Sequence, residues 1–399
     1  MTARHIGILT GGGDVPGLNS AIKSVYQSAK QRGWLRPGTA DASVTGILRG
    51  WKGALQMGED PAASAGIDTM ALTDATVREV DRYGGTFLHT SRTRPDRMNV
   101  RDLPERLKAK AGELPRVGGA ENVVDATDAV IRNLSGHRID CLVAIGGDDT
   151  LGYAHTLHSR GFPVIGIPKT MDNDVRGTEY ALGFATALTR SVEFINRQRT
   201  HLGSNEVVGV FRVFGRNAGF TSLGTAMAIS DIRCAIPEHA FDLETLCRLV
   251  EADHREHESH YAMIVISEGA MWMGGQLQEC GEPDGFGHRK KMNVGEQLAQ
   301  EITRITNLPT RPQDLTYDLR SGDPDPLDRI VASTFGALAV ELLAEGTTGR
   351  MLAIEKGNYT HSPLPDAKRG ARTVDVASYY DTARFRPRFA AQLGKPIFF

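Results

Sequence analysis

The chain has too few cysteines, too widely spaced, to rely on disulfides or a cysteine metal site. Of its 399 residues only Cys141, Cys234, Cys247 and Cys280 are cysteines, and no two form a CxxC pair. A zinc ribbon and a thioredoxin-like redox motif are thereby excluded, and four reduced, mostly buried thiols are expected. No stretch approaches the roughly 18 consecutive apolar residues of a membrane-spanning helix, and Ile6-Gly7-Ile8-Leu9 is too short for a signal-peptide core. A cytoplasmic location is the expectation. Charge of one sign is also missing. Lys plus Arg number 46 against 48 Asp plus Glu, a net charge of -2, so neither nucleic acid nor an anionic membrane is an expected partner. There is no GxxxxGK[ST] segment, which excludes a P-loop nucleotidase. His254-Arg255-Glu256-His257-Glu258-Ser259-His260 misses the HExxH spacing and reads as a solvated helix end.

Glycine, in contrast, is plentiful at 44 residues, and it clusters where apolar runs end. Ile6–Thr10 reads as a buried strand that runs into Gly11-Gly12-Gly13-Asp14 and then a helix from Leu18. Ser43–Leu48 is the next strand. Cys141-Leu142-Val143-Ala144-Ile145 ends at Gly146-Gly147-Asp148-Asp149-Thr150, and Pro163–Ile167 delivers Pro168 to Asp174. Helices are expected over about 122–134 and 181–199. Further strands are expected at Val207–Phe211, ending at Gly215-Arg216-Asn217-Ala218-Gly219, and at Ala262–Ser267. Strands alternating with helices predict an α/β fold with mostly parallel sheets, whose anion sites lie at the carboxyl ends of strands. Every glycine-rich segment, including Gly84-Gly85-Thr86, is expected at such an end. The charged, weakly patterned residues from about Thr93 to Val123 read as a surface excursion outside the core.

The chemistry concentrates in Pro168-Lys169-Thr170-Met171-Asp172-Asn173-Asp174. One lysine, one hydroxyl and two carboxylates within seven residues suit phosphoryl transfer to an alcohol. Lys169 supplies positive charge, Asp172 a general base, and Asp174 an orienting carboxylate or a second group for Mg²⁺. An Asn/Asp turn accounts for Asn173 but requires neither Lys169 nor two carboxylates. Asp148 is placed to hold Mg²⁺, although helix capping also suits Asp148 and Thr150. Asp149 is anomalous beside a polyphosphate, because like charges about 4 Å apart repel by about 4 kcal/mol at an effective dielectric near 20. It therefore has to be offset, or it selects against one phosphate donor. Gly11-Gly12-Gly13 offers backbone N–H groups to phosphate at a helix start. Arg92, Arg216, Arg311 and Arg320 fall in loops or near strand ends, where guanidinium forks pair with phosphate oxygens.

In order along nearly the whole chain, these landmarks resemble the 6-phosphofructokinase family. They are Gly12–Asn19, Gly84-Gly85-Thr86 with Ser91-Arg92, the two segments just described, Phe214–Gly219, Pro237-Glu238 and Tyr317-Asp318-Leu319-Arg320. The resemblance is to the pyrophosphate-dependent form, which has aspartate and lysine where Asp149 and Lys169 stand; the ATP-dependent form has glycine at both. It implies two Rossmann-like three-layer domains with the active site in the cleft between them. Residues 1–183 plus 319–371 would hold the phosphoryl donor, and 184–318 plus 372–399 the sugar phosphate. It implies Mg²⁺-requiring, reversible transfer from pyrophosphate to O1 of fructose 6-phosphate, with an ATP-dependent enzyme or a sedoheptulose 7-phosphate kinase as alternatives. Asp172 would be the base, Asp148 would serve Mg²⁺, and Thr170 would contact the transferring group. Lys169 would bind the departing phosphate while Asp149 excludes a nucleotide. Gly13, Ser91, Arg92, Gly147 and Thr150 would line the donor site. Asp174, Phe214, Gly215, Arg216, Glu238, Arg311, Tyr317 and Arg320 would hold the sugar phosphate. A homodimer or homotetramer is implied. Phe214 and Tyr317 replace the family's usual methionine and histidine. Val207, beside Glu206, stands where many members carry an arginine that clamps the sugar phosphate, and Arg199 and Arg212 are candidates to replace it.

Overall fold

The computed structural model describes residues 4–35, 44–275, 279–280, 282–283, 290–291, 293–366 and 370–396. The first unit begins with β1 (Ile6–Thr10) and α1 (Leu18–Gln31), followed by β2 (Val44–Ile47), α2 (Gly50–Gln56) and β3 (Thr69–Ala71). After α3 (Thr127–Gly136) come β4 (Cys141–Gly146), α4 (Asp148–Ser159) and β5 (Val164–Pro168). The long α5 (Phe184–Asn205) leads to a second unit: β6 (Val208–Val213), α6 (Phe220–Ala228), β7 (Arg233–Ala235), α7 (Leu243–Glu256), β8 (Ala262–Ser267), α8 (Val294–Thr306) and β9 (Thr310–Asp314). The chain then returns through α9 (Pro326–Glu345), β10 (Arg350–Glu355) and β11 (Asn358–Pro363).

Two sheets result. The larger has the order β11-β10-β5-β4-β1-β2-β3, antiparallel only at its two outer pairs, and the smaller is β9-β6-β8-β7, parallel throughout. The α/β class with mostly parallel sheets is thus the one the sequence pattern specified. The apolar runs are continuous because both faces of the large sheet are covered. In β4, Cys141, Val143 and Ile145 pack into one core with α1 and α9, while Leu142 and Ala144 pack into another with Trp51, Val130 and Leu151. Helix starts are set by local chemistry. Asp325 accepts from Leu327 N at 2.7 Å with Pro326 in the first turn of α9, and Asn293 accepts from Gly295 N and Glu296 N at 3.1 and 3.2 Å.

Several expectations shift. Residues 93–123 are not merely a surface excursion: Met98, Leu103, Leu107 and Ala111 are buried in the second core, and Met98–Asn99 pairs with Val123–Val124. Val123 therefore belongs to a strand, and the helix expected near residue 122 starts at Thr127. The helix expected over 181–199 runs from Phe184 to Asn205. Gly84-Gly85 follows a short 3₁₀ turn at Val80–Arg82, not a strand. Cys141, Cys234 and Cys247 are free and buried; Ser43 and the side chain of Cys280 lie outside the described residues. Among the described residues no helix is long and apolar enough to cross a membrane.

Candidate active site

The carboxyl ends of β1, β4 and β5 lie side by side, because these strands are neighbours in register. Their three glycine or lysine turns are tied together. Gly11 N donates to Ile145 O at 2.9 Å, Lys169 N to Gly146 O at 2.9 Å, and Gly12 N to Ser91 O at 2.9 Å. Thr90 Oγ1 donates to Gly12 O at 2.7 Å, so residues 90–91 form a strap across the first turn. Gly12 has φ +81°, a conformation that costs glycine little.

Lys169 is only 4% exposed, and its Nζ donates to Gly13 O at 2.5 Å. A Cβ on Gly12 would lie 3.2 Å from that Nζ, and one on Gly13 would lie 2.4 Å from Arg320 Nη1. The glycines therefore let two cations approach the turn. Burial pushes the Lys169 ammonium down to about 7; Arg320 and Arg92 add to that shift, while Asp14 and Asp174 oppose it.

The carboxylates form the other half. Asp148 is pushed up to about 8 by burial, then by Asp174 and Asp149, against the pull of Arg176. Asp148 stands in the first turn of α4, which has no side-chain cap, so capping does not account for it. Asp172 is held well above the carboxylate range by burial and by Asp174 and Glu268; Arg320 and the Arg216 N–H oppose this. One of its oxygens, Oδ1, is buried with no hydrogen-bond partner. Burial also raises Asp174, against a hydrogen bond from Thr170, whose Oγ1 in turn accepts Asp172 N–H at 3.2 Å. Asp149 meets Arg94 at 3.7 Å, and Arg94 grips Asp96 through Nε and Nη2 at 3.1 and 2.7 Å. The excursion at 93–123 thus supplies part of the charge Asp149 requires.

Thr150, by contrast, is a wedge. It is 1% exposed, and Cβ atoms on Gly11 or Gly146 would lie 2.5 and 2.3 Å from it. Gly147 caps α4, and a Cβ on it would sit 3.4 Å from Lys169 O. Ser91 Oγ accepts from Lys52 N at 3.3 Å, and Arg92 is exposed.

On the facing unit, Gly215 has φ +127°, and a Cβ there would strike Ala218 O at 2.5 Å. The turn presents Arg216, 3.7 Å from Glu268, and Phe214, whose ring lies 4.4 Å beneath the Arg320 guanidinium. Tyr317 packs edge-on against Phe214 at 6.0 Å and is 72% exposed. Arg320 Nε also approaches Met171 Sδ at 3.4 Å. Glu238 accepts from Gly219 N at 3.0 Å and Val374 N at 2.7 Å, and burial raises its pKa.

Three arginines fall outside this group. Arg311 is exposed on edge strand β9, with Nη1 turned to Thr310 O at 3.0 Å. Arg212 is 6% exposed and committed to Glu268 and Asp314 at 3.1 and 2.8 Å, so it is not a spare phosphate clamp. Arg199 donates to Ser230 O at 2.7 Å. Val207 is 2% exposed, and Glu206 ends α5 with φ +52°.

From the sequence, Asp14 is part of the first glycine turn but has no role of its own, and neither Glu268 nor Arg372 stands out. Glu268 follows the strand Ala262–Ser267 directly, so the strand-end rule that flagged Asp148 applies to it as well. Arg372 carried no such signal.

The phosphofructokinase family pattern matches residues 5–343. The chain is 35% identical over 384 residues to a pyrophosphate–fructose 6-phosphate 1-phosphotransferase of Amycolatopsis methanolica, covering 96% of this chain and 99% of that one. It is 33% identical over 382 residues to an ATP-dependent 6-phosphofructokinase of Mycobacterium bovis, with the same coverage. The solved pyrophosphate-dependent phosphofructokinase of Marinobacter aquaeolei shares the fold, with TM-score 0.73 and 18% identity over 98% of this chain and 90% of that one.

Proposed function

The chain belongs to the phosphofructokinase family, and we propose that it transfers a phosphoryl group reversibly from pyrophosphate to O1 of fructose 6-phosphate. Relatives named for pyrophosphate and for ATP match almost equally well, so identity does not choose the donor. The observation that carries the choice is Lys169. Its ammonium is buried against Gly13 O and has no carboxylate within 4 Å among the described residues. A desolvated amine pushed down to about 7 with no ion pair is an incomplete site, and a small phosphate anion beside it would restore its charge. Asp149, in the first turn of α4, adds negative charge next to Asp148 and so disfavours a nucleotide chain.

Asp172 is the base for the sugar hydroxyl. A buried carboxylate with an unpartnered oxygen and a raised pKa is a stronger proton acceptor than an exposed one. Arg320, Arg216 and Lys169 neutralise phosphoryl charge and hold the reactants in line. Among the described residues no group of three metal-binding side chains occurs, but Mg²⁺ needs only one or two carboxylates plus phosphate oxygens. Asp148, buried and crowded by the Asp174 and Asp149 carboxylates, fits that role, because a bound cation would relieve that repulsion. Bound Mg²⁺ would supply charge neutralisation on the phosphoryl oxygens. The exposure of Arg311 on an edge strand suits a dimer or tetramer in which it reaches a neighbouring subunit's sugar phosphate.

A second acceptor reading has its own observation. Val207 gives no phosphate clamp, and Arg199 and Arg212 are engaged elsewhere, which leaves room for sedoheptulose 7-phosphate. The test is the initial rate of bisphosphate formation with Mg²⁺ and each acceptor. Turnover of fructose 6-phosphate with pyrophosphate supports the proposal. Turnover only with the seven-carbon sugar overturns the acceptor, and turnover only with ATP overturns the donor.

A further inference from the structure

Residues 370–374 run along the site, and every second one is fastened. Gly370 O accepts from Arg176 Nε at 2.9 Å. Arg372 N donates to Asp174 O at 2.7 Å, and its Nη1 donates to Asn173 O and Glu179 O at 3.0 and 3.4 Å. Its guanidinium lies 4.4 Å over the ring of Phe220, the first residue of α6. Val374 N donates to Glu238 Oε1 at 2.7 Å. Thr373 and Asp375, between and beyond these, are exposed. The far end of the segment is anchored on the second unit, where Tyr380 Oη donates to Cys234 O at 2.6 Å and Arg386 pairs with Asp253 at 3.2 Å.

These contacts come from two different walls. Asn173, Asp174, Arg176 and Glu179 lie on the loop after β5 that carries Asp172, whereas Phe220 and Glu238 belong to the second unit. Within that loop Asn173 has φ +54°, an unfavourable conformation for a residue with a side chain. Its amide is used internally, donating to Glu179 O and accepting from Ala181 N, both at 2.9 Å. The carbonyls of Asn173, Asp174 and Glu179 are held from outside by Arg372.

We propose that Gly370–Val374 is a strap fixing the Asp172 loop against the sugar-phosphate side of the site, with Arg372 as its positioning residue. The proposal rests on the reading of Asp172 as the base. Arg372 does not touch the reacting atoms; it acts through the backbone that follows Asp172. A planar guanidinium spans two carbonyls and stacks on Phe220 at once, which an ammonium cannot reproduce.

The test compares wild type with Arg372→Met and Arg372→Lys in steady-state kinetics and in hydrogen exchange of peptides covering 171–183 and 219–222. A displaced base of about 1 Å costs on the order of a hundredfold in turnover. The expected result is a fall in kcat of that order in Arg372→Met, only partial recovery in Arg372→Lys, and partial rescue of Arg372→Met by millimolar guanidinium but not by equal sodium chloride. Exchange should quicken in both peptides together while distant strands keep theirs. Unchanged kcat in Arg372→Met overturns the proposal, as does acceleration of exchange throughout the molecule with no guanidinium rescue. If wild type fails to turn over fructose 6-phosphate with any donor, the functional reading falls and exchange alone decides. Paired quickening then supports the strap, and unchanged loop exchange overturns it.

Discussion

Replacing Asp328 with alanine should destabilise this protein severely, although Asp328 touches no predicted ligand. Asp328 is fully buried in the first turn of α9. Its Oδ1 accepts from Tyr180 Oη at 2.6 Å and Gly183 N at 2.8 Å, and its Oδ2 accepts from Thr186 N at 2.8 Å and Thr186 Oγ1 at 2.5 Å. One carboxylate on α9 thus caps α5, the helix that leaves the Lys169–Asp174 loop and leads into the second unit. Truncation strands four buried donors. Each buried donor left unsatisfied costs about 1–3 kcal/mol. Water entering the space can satisfy one or two, so the net loss is roughly 4 kcal/mol. Asparagine keeps the shape but turns an amide N–H₂ toward two of the donors, for about 2–3 kcal/mol. The assay is urea denaturation followed by tryptophan fluorescence, since Trp34 and Trp51 are buried in the first unit. A loss below about 1 kcal/mol for Asp328→Ala would show that the four bonds are not the capping device argued from their geometry.

Three further outcomes follow from the site and its supports. Asp172→Asn should lower kcat by about 10² to 10⁴, the range for a positioned base, while the KM for the sugar phosphate stays within about threefold; equal losses in binding would remove Asp172 from that role. Gly84→Ala would put a Cβ 1.8 Å from Gly322 O, two residues past Arg320, so it should raise the sugar-phosphate KM by at least about tenfold through the displaced Arg320; an unchanged KM would disconnect that loop from binding. His137 is 6% exposed, and burial lowers its pKa below the ordinary 6.5. The unfolded chain then takes up the proton first as pH falls, so stability should be lost below about pH 6.5 at up to about 1.4 kcal/mol per unit. His137→Gln should flatten that limb, and an identical pH dependence in the variant would assign it to other groups.

The strands were legible because burial on both faces of a parallel sheet leaves a continuous apolar run, as in Cys141–Ile145, with glycine at its end. Lys169, Asp172 and Asp174 were legible because one short loop after a strand held incompatible charges without a structural need for them. What stayed hidden lies far apart in sequence. Arg372 binds Asn173 across 199 residues, and no local pattern foreshadows it. Leu103, Leu107 and Ala111 recur every fourth residue, but Pro104 and Gly112 interrupt the run, and Met98 sits in a strand of only two residues, so their burial was missed from the sequence. Thr150 looked like a phosphate ligand from its place in Gly-Gly-Asp-Asp-Thr, whereas the glycines on either side of the turn close onto it. Arg212 looked available until its two carboxylate partners, one from another strand, were in place.

The donor assignment rests on Lys169 and Asp149, and the most direct measurement is kcat/KM for pyrophosphate against ATP, with fructose 6-phosphate and Mg²⁺, in wild type and in the Asp149→Gly, Lys169→Gly double variant. The account predicts that wild type uses pyrophosphate by a wide margin and that the double variant loses pyrophosphate activity while gaining use of ATP. Wild-type turnover driven by ATP, or a donor ratio that the double variant leaves unmoved, would contradict it.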